Sequence, residues 1–536
     1  VYHWDRGAGT DNWADGANWY NSLSSRNNTV PLANMDVVFG SRPSGSGPQV
    51  VNQDTANFAI RSLWFETGRD YTLQGTGSLL FAYGPIIIVA EGGHAGNRYT
   101  LDLPLQVGSN SGAVDIANYS SGLLDIRRTL NLNSNNSLNL HGGVIPLDSI
   151  TGSLSSSIIV GGLSDQLTSV IYRHHSGLNW QVANNGLLIL KGGALSALHV
   201  LSSGTVALHS NNNVAITASG EGIARQEGAA RIGTIYNEGG DNSLQGITLT
   251  GDTTIGGRAG LADNLTISTI QGHHLLTKVG AGLVSFTTAA WSSSGIAATE
   301  IQGGAFRTRA WHQLGNIRLN GGVLEYRDQG SISSKLGTAG GQMQWLGDGG
   351  FSSFYGNLSL TLNSGAELTW GQQYFVQDDH ALLFGSRYAT ASVTFTNALK
   401  LGDGLREVRV AGNFAPRATM SGTLSGTGGI LKTGSGILDL TGANTYTGPT
   451  RISDGVLRGA SDASNIQLDG GLLWVSGSIT VQIGAGADEI QWLGNGGFYI
   501  NSSTSINFGG PNTPLNWGDP YFVQSGKELR IAGGGD

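Results

Sequence analysis

The stretch Gln344-Trp345-Leu346-Gly347-Asp348-Gly349-Gly350-Phe351 returns as Gln491-Trp492-Leu493-Gly494-Asn495-Gly496-Gly497-Phe498, at an interval of 147. The same interval carries Trp370-Gly371 to Trp517-Gly518, and Tyr374-Phe375-Val376-Gln377 to Tyr521-Phe522-Val523-Gln524. Three landmarks in one ungapped register mark an internal repeat, the feature that most narrows the possible folds. Upstream, Ile317-Arg318-Leu319-Asn320-Gly321-Gly322 matches Ile466-Gln467-Leu468-Asp469-Gly470-Gly471. Further back, Lys278-Val279-Gly280-Ala281-Gly282-Leu283 matches Lys432-Thr433-Gly434-Ser435-Gly436-Ile437. Downstream, Arg406-Glu407-Val408-Arg409-Val410-Ala411-Gly412 matches Lys527-Glu528-Leu529-Arg530-Ile531-Ala532-Gly533 at an interval of only 121, so the second copy is the shorter one. The shortfall is the size of one β-helix coil, which holds roughly 20–30 residues. Losing a whole coil leaves a stack in register above and below the loss, which a sandwich or globular core does not tolerate. The repeat therefore predicts an all-β chain wound as a parallel β-helix.

Composition agrees. The chain has 536 residues, 85 of them Gly and only 11 Pro, and 12% are charged, about half the usual ~25%. Hydrophobic residues make up 39% and fall in β-type runs such as Leu187-Leu188-Ile189-Leu190, which argues against disorder. In Leu130-Asn131-Leu132-Asn133 and Leu138-Asn139-Leu140 the alternation turns Leu inward and Asn outward. Gly192-Gly193, Gly303-Gly304, Gly321-Gly322 and Gly470-Gly471 suit corners that need positive φ. At about 22–25 residues per coil, the expected stack has roughly 20–24 coils and a length of about 100 Å.

The expected organisation is an N-terminal cap and entry segment over about 1–50, then a continuous β-helix over 51–536. A long unit occupies about 275–420 and a shortened copy about 429–536. The opening run holds Trp4, Trp13 and Trp19. It is read as a cap that shields the first coil, with a sugar-binding aromatic platform as the alternative. The chain starts at Val1, and its second copy breaks off where the first continues into Asn413. Further repeats, or an anchor, are expected beyond it.

The absence of Cys removes disulfides, thiolate metal sites and a Cys nucleophile. The net charge of −8 forms no basic patch for nucleic acid, and no apolar run approaches the ~20 residues of a membrane helix. Asp378-Asp379-His380 is the tightest ionisable cluster, weighed as a general acid/base pair against a solvated turn. The second copy reads Ser525-Gly526-Lys527 just after the matched Gln524, so the turn is preferred. His174-His175 and His273-His274 are neighbours that a strand would turn to opposite faces. Gly347-Asp348-Gly349-Gly350 is read as a tight corner rather than a calcium turn, since its partner replaces Asp by Asn. No catalytic set, metal site or cofactor is expected. The recurring aromatics Trp345, Trp370, Tyr374, Trp492, Trp517 and Tyr521 serve core or corner packing in the preferred reading, and a repeated outer contact surface in the other.

Residues 428–457 read GGILKTGSGILDLTGANTYTGPTRISDGVL. This segment resembles the passenger-associated transport repeat, or autotransporter-associated β-strand repeat, of bacterial autotransporters. The matching positions are Lys432, Gly434, Gly436, Leu438, Leu440, Asn444-Thr445-Tyr446, Gly448, Thr450, Ile452, Gly455 and Leu457. A degenerate copy runs from Lys278 to Phe306, with Trp291-Ser292-Ser293 where the Asn-Thr-Tyr segment belongs. The resemblance implies a right-handed parallel β-helix displayed outside the cell, in which the repeat aids folding and export. The expected function is that of an extracellular structural protein, a surface rod or fibre acting in attachment or as a coat. Its expected partners are further copies of itself or surface glycans. A carbohydrate-binding adhesin is the alternative, and a polysaccharide-degrading β-helix enzyme the least favoured.

Overall fold

A computed structural model describes residues 1–536 except 23–25, 28, 41–47, 67–68, 82–85, 91–96, 109–112, 133–135, 153–156, 162–167, 173–177, 192–194, 196, 210–211, 224–231, 259–262, 288–294, 413–416, 501–504, 510–513 and 534–536. Among the described residues the fold is all-β, interrupted by three single-turn 3-10 helices. It forms two compact units, Val1–His274 and Leu275–Asp536.

In the first unit the chain repeatedly returns to lie parallel beside itself. Trp180, Leu198, Ile216, Ile247 and Ile270 stand in register on five successive strands, all buried. Their sequence neighbours Gln181, His199, Thr217, Thr248 and Gln271 form the matching row on the other face. Period-two alternation thus becomes an apolar inner row and a polar outer row, strand upon strand about 4.8 Å apart. At the start of the unit Tyr2–Trp4 pairs antiparallel with Trp19–Asn21 and parallel with Met35–Phe39. Trp4, Trp13, Trp19 and Phe39 are fully buried. Trp19 meets Trp4 edge-on at 5.0 Å and Trp13 at 4.7 Å. Rings enclosed in this way offer no face to a sugar, which rules out the platform reading of this cluster.

The second unit holds parallel ladders. One runs through nine strands, from Gly330–Ser334 to Leu529–Gly533. A short one joins Leu368–Thr369, Leu399–Lys400 and Leu424–Ser425. Another aligns Ile301, Leu319 and Trp345.

Coil length is not the uniform one expected. A short coil carries the chain from Ile452 to its partner Leu468, whereas the coil from Leu360 to its partner Phe395 is about twice as long. The ladders tolerate this because register is set by the buried rows, while the extra residues of the long coil build a corner that buries Leu368, Trp370 and Phe375. The coil from Leu382 to its partner Val408 has the length that the second copy lacks. Leu529, the sequence match of Val408, pairs with Gly496 just as Leu382 pairs with Gly349.

Candidate functional site

The recurring aromatics converge on a corner built twice with nearly the same bonds. Trp345 lies at the end of strand Met343–Trp345, and its Nε1 donates to the Gly349 carbonyl at 2.9 Å. Its backbone N–H donates to the Tyr374 carbonyl at 3.1 Å. In the second copy Trp492 Nε1 donates to the Gly496 carbonyl at 3.1 Å, and the Trp492 N–H to the Tyr521 carbonyl at 2.8 Å. Trp345 meets Phe375 edge-on at 5.1 Å, and Trp492 meets Phe522 at 5.1 Å. Gly371 donates to the Val376 carbonyl as Gly518 does to that of Val523, both at 2.8 Å. Gln377 and Gln524 each turn their amide back on the loop, donating at 2.9 Å to the Phe375 and Phe522 carbonyls. Tyr374 and Tyr521 hold positive φ, 70° and 67°, a conformation costing roughly 1–2 kcal/mol in a non-Gly residue.

Burial separates the six residues. Trp345, Trp370 and Trp492 are buried and Tyr374 is half-buried. Trp517 and Tyr521 are exposed. The Trp370 backbone N–H donates to the Lys400 carbonyl at 2.9 Å, one coil on, and its Nε1 donates to the Gln377 carbonyl at 3.0 Å.

The ionisable cluster on the same loop ties coils together. Asp378 pairs with Arg406 at 2.7 Å. The His380 ring sits 3.5 Å from Asp348 and 3.7 Å from Asp379. Arg409 reaches Asp348 at 3.3 Å and Glu407 at 2.8 Å. Asp348 belongs to the preceding coil, Arg406 and Arg409 to the following one. The Asp348 carboxylate also accepts the Ala381 backbone N–H at 2.9 Å, and Asn495 Oδ1 accepts that of Glu528 at 3.1 Å. An amide oxygen accepts the same bond as the carboxylate, so the repeat allows Asp or Asn here. Among the described residues no three His, Asp or Glu side chains gather closely enough to hold a metal ion. His273 and His274 lie in a bend before strand Leu275–Val279. His174-His175, Gly192-Gly193 and Trp291-Ser292-Ser293 lie outside the described residues.

Sequence reasoning missed the role of the two repeat lysines. Lys278 and Lys432 are fully buried. The Lys278 ammonium donates to the Gly280 carbonyl at 2.5 Å and to that of Gly303, one coil on, at 2.7 Å. Lys432 donates to the carbonyls of Thr433 (3.0 Å), Gly434 (2.5 Å) and, on the next coil, Asp454 (3.0 Å). A Cβ on Gly304 or Gly455 would sit 2.6 or 2.8 Å from these ammonium groups, so the space is available only to Gly. Burial pushes the Lys278 ammonium down to about 7 and Lys432 down to about 8, with Asp454 opposing the latter shift. The signal was present in the parity: each Lys shares the inward face with Leu276 or Ile430.

The other repeat residues also bond between coils. Asn444 Oδ1 accepts the Leu424 N–H at 3.0 Å. Tyr446, its hydroxyl pushed up by burial, meets Thr450 Oγ1 of its own coil at 2.6 Å and accepts the Ser461 N–H of the next at 3.4 Å, where Thr450 in turn meets Ser464 at 2.7 Å. These residues join coils and present no reactive group to solvent.

The passenger-associated transport repeat family matches residues 430–458. The adhesin BmaC autotransporter of Brucella suis biovar 1 (strain 1330) is 30% identical over 172 residues, 31% of this chain and 5% of that protein. The chain thus spans about a twentieth of the length of that relative. No solved structure matches the chain.

Proposed function

Taking as premise that the chain is an autotransporter passenger displayed at the bacterial cell surface, we propose that it is a non-catalytic adhesive scaffold wound as a right-handed parallel β-helix. The observation that carries this is the use made of the repeat residues. Lys432, Asn444, Tyr446 and Thr450 all spend their polar groups on joining coils, Tyr446 by accepting the Ser461 backbone N–H on the next one. The outer rows, such as Thr217, Thr248 and Gln271, are left facing solvent.

The Trp4–Trp13–Trp19 cluster caps the first coil in this reading, and the unit at about 275–420 recurs with one coil removed at about 429–536. Partners are surface glycans or further copies of the chain, the latter giving a fibre or coat. Beads carrying the purified chain should adhere to host-cell or extracellular-matrix surfaces, and bare beads should not. Equal adherence of both overturns the adhesive reading. Sedimentation and electron microscopy of the same protein test assembly: monomers at every concentration dismiss the fibre. A polysaccharide panel incubated with the chain should release no reducing ends.

A further inference from the structure

In the first unit one coil is wider than the coil before it. Strand Asn213–Gly220 pairs with strand Asn242–Gly257 as Val214 with Leu244, then as Ala215 with Gly246, so Gln245 is an extra residue without a partner. The next coil keeps the wider form: Leu244 pairs with Ile267 and Ile247 with Ile270. A bulge of this kind bends its strand and re-aims the side chain it carries. Here it makes a step between a narrow coil and wider ones. Gly246 allows the close approach, since a Cβ there would lie 2.4 Å from Thr269 Oγ1. Thr269 Oγ1 donates to the Gln245 carbonyl at 3.1 Å and fixes the bulge from above.

The step opens a surface groove of about 290 Å³ whose lining includes Thr217, Gln245, Thr248, Thr269 and Gln271. Thr217, Thr248 and Gln271 are in register across three coils. None of the lining residues is charged. The side chains of Gln245, Thr248 and Gln271 are exposed. With Thr217, they form no hydrogen bond to another described residue, and so they keep their donors and acceptors for a ligand.

We propose that this groove is a binding subsite for an uncharged polysaccharide. Hydroxyl and primary amide groups both donate and accept, which matches the hydroxyls of a neutral sugar. Their repeat of about 4.8 Å from coil to coil presents an evenly spaced row to an extended chain of pyranose units. An anionic glycan would have to shed water into a groove with no cation to compensate it. The subsite deepens the adhesive reading by naming a ligand class, and it rests on that reading only for its biological use.

The test is binding of the full chain to neutral hexasaccharides (gluco-, galacto- and mannohexaose) and to oligogalacturonate, followed by NMR of the sugar and by calorimetry. At least one neutral hexaose should bind, and oligogalacturonate should bind at least tenfold more weakly. The triple variant Gln245→Ala, Thr248→Ala, Gln271→Ala should weaken binding by tenfold or more, with its circular dichroism unchanged. Because these side chains are exposed and make no internal bonds, the fold should survive. A second variant, Thr248→Lys, should shift preference towards the acidic sugar. No binding of any neutral hexaose at millimolar concentration, or equal binding by the triple variant, overturns the subsite. Bead adherence measured with the same variants separates the two ideas. If beads carrying the triple variant adhere as well as the wild type, adhesion stands and the groove is not its basis.

Discussion

Trp370 and Trp517 occupy the same place in two copies of one corner, yet Trp370 is 3% exposed and Trp517 58%. Their local geometry is nearly the same. Each meets its phenylalanine edge-on, Trp370 with Phe375 at 6.2 Å and Trp517 with Phe522 at 6.0 Å. Each precedes a tyrosine in the left-handed region. The difference is the coil above. In the first copy Leu399–Lys400 pairs over Leu368–Thr369, and Phe395 stacks on Phe375 at 6.4 Å. The coil that holds Leu399 is the one missing from the second copy, so it does not lie over Trp517. Corner shape is therefore a local property, whereas the fate of a ring at a corner belongs to the neighbouring coil.

Four experiments press on that comparison. The largest effect is expected from Trp370→Ala. Removing a fully packed Trp typically costs about 3–5 kcal/mol, whereas Trp517→Ala should cost less than about 1 kcal/mol. Hydrogen exchange of the 368–401 and 515–530 segments reads the two separately. Equal loss of protection would mean that the following coil does not decide burial.

The next compares the two lysine joints through pH. Lys432 loses its proton near 8 when folded and near 10.4 when unfolded. Between those values the unfolded state binds more protons, so stability rises with pH; below about 8 this group adds no slope. The rise is on the order of 3 kcal/mol. Lys278 should begin its rise nearer pH 7. Lys432→Met should remove its share of the slope, measured as urea midpoints of the 429–500 region from pH 6 to 10.5. A slope unchanged in the variant defeats the assignment.

Third, Tyr521→Gly should raise stability slightly, by roughly 0.5–1 kcal/mol, because relief of the positive φ outweighs an exposed ring. Tyr374→Gly should gain less, since its ring is half-buried. Thermal melts of both variants test the order, and a larger gain at Tyr374 would reverse it. The smallest effect is Asp348→Asn, which makes the first corner like the second. The bond from Ala381 remains possible while the pairs with Arg409 and His380 go, so the cost should be below about 1 kcal/mol and should vanish in high salt. A loss well beyond the range of exposed ion pairs would show that the carboxylate is not interchangeable with the amide of Asn495.

Much of the fold was legible because stacking converts sequence periodicity directly into contacts. The alternation around Leu130 and Leu138 is an inner row, Leu130 pairing with Leu105 and Leu138 with Ile158. The interval missing from the second copy reappears as the coil between Leu382 and Val408. The lysines were legible as motif letters but not as joints. Polarity argues for the surface, and only carbonyls from two corners at once make burial of an ammonium tolerable. The groove was not legible, because it depends on a mismatch between strands that are distant in the chain: Gln245 is extra only when Val214–Ala215 lies beneath it.

By itself the sequence determined the β class, the parallel return of the chain, the repeat and the chemistry of each corner, since these follow from alternation and from turns closed by nearby residues. Only the tertiary structure decided coil width, which of two equivalent tryptophans is enclosed, and where a lysine finds its acceptors. Those properties belong to pairs of coils. The residues that meet across them lie at intervals that change from coil to coil, short between Ile452 and Leu468 and long between Leu360 and Phe395, and no local pattern encodes them.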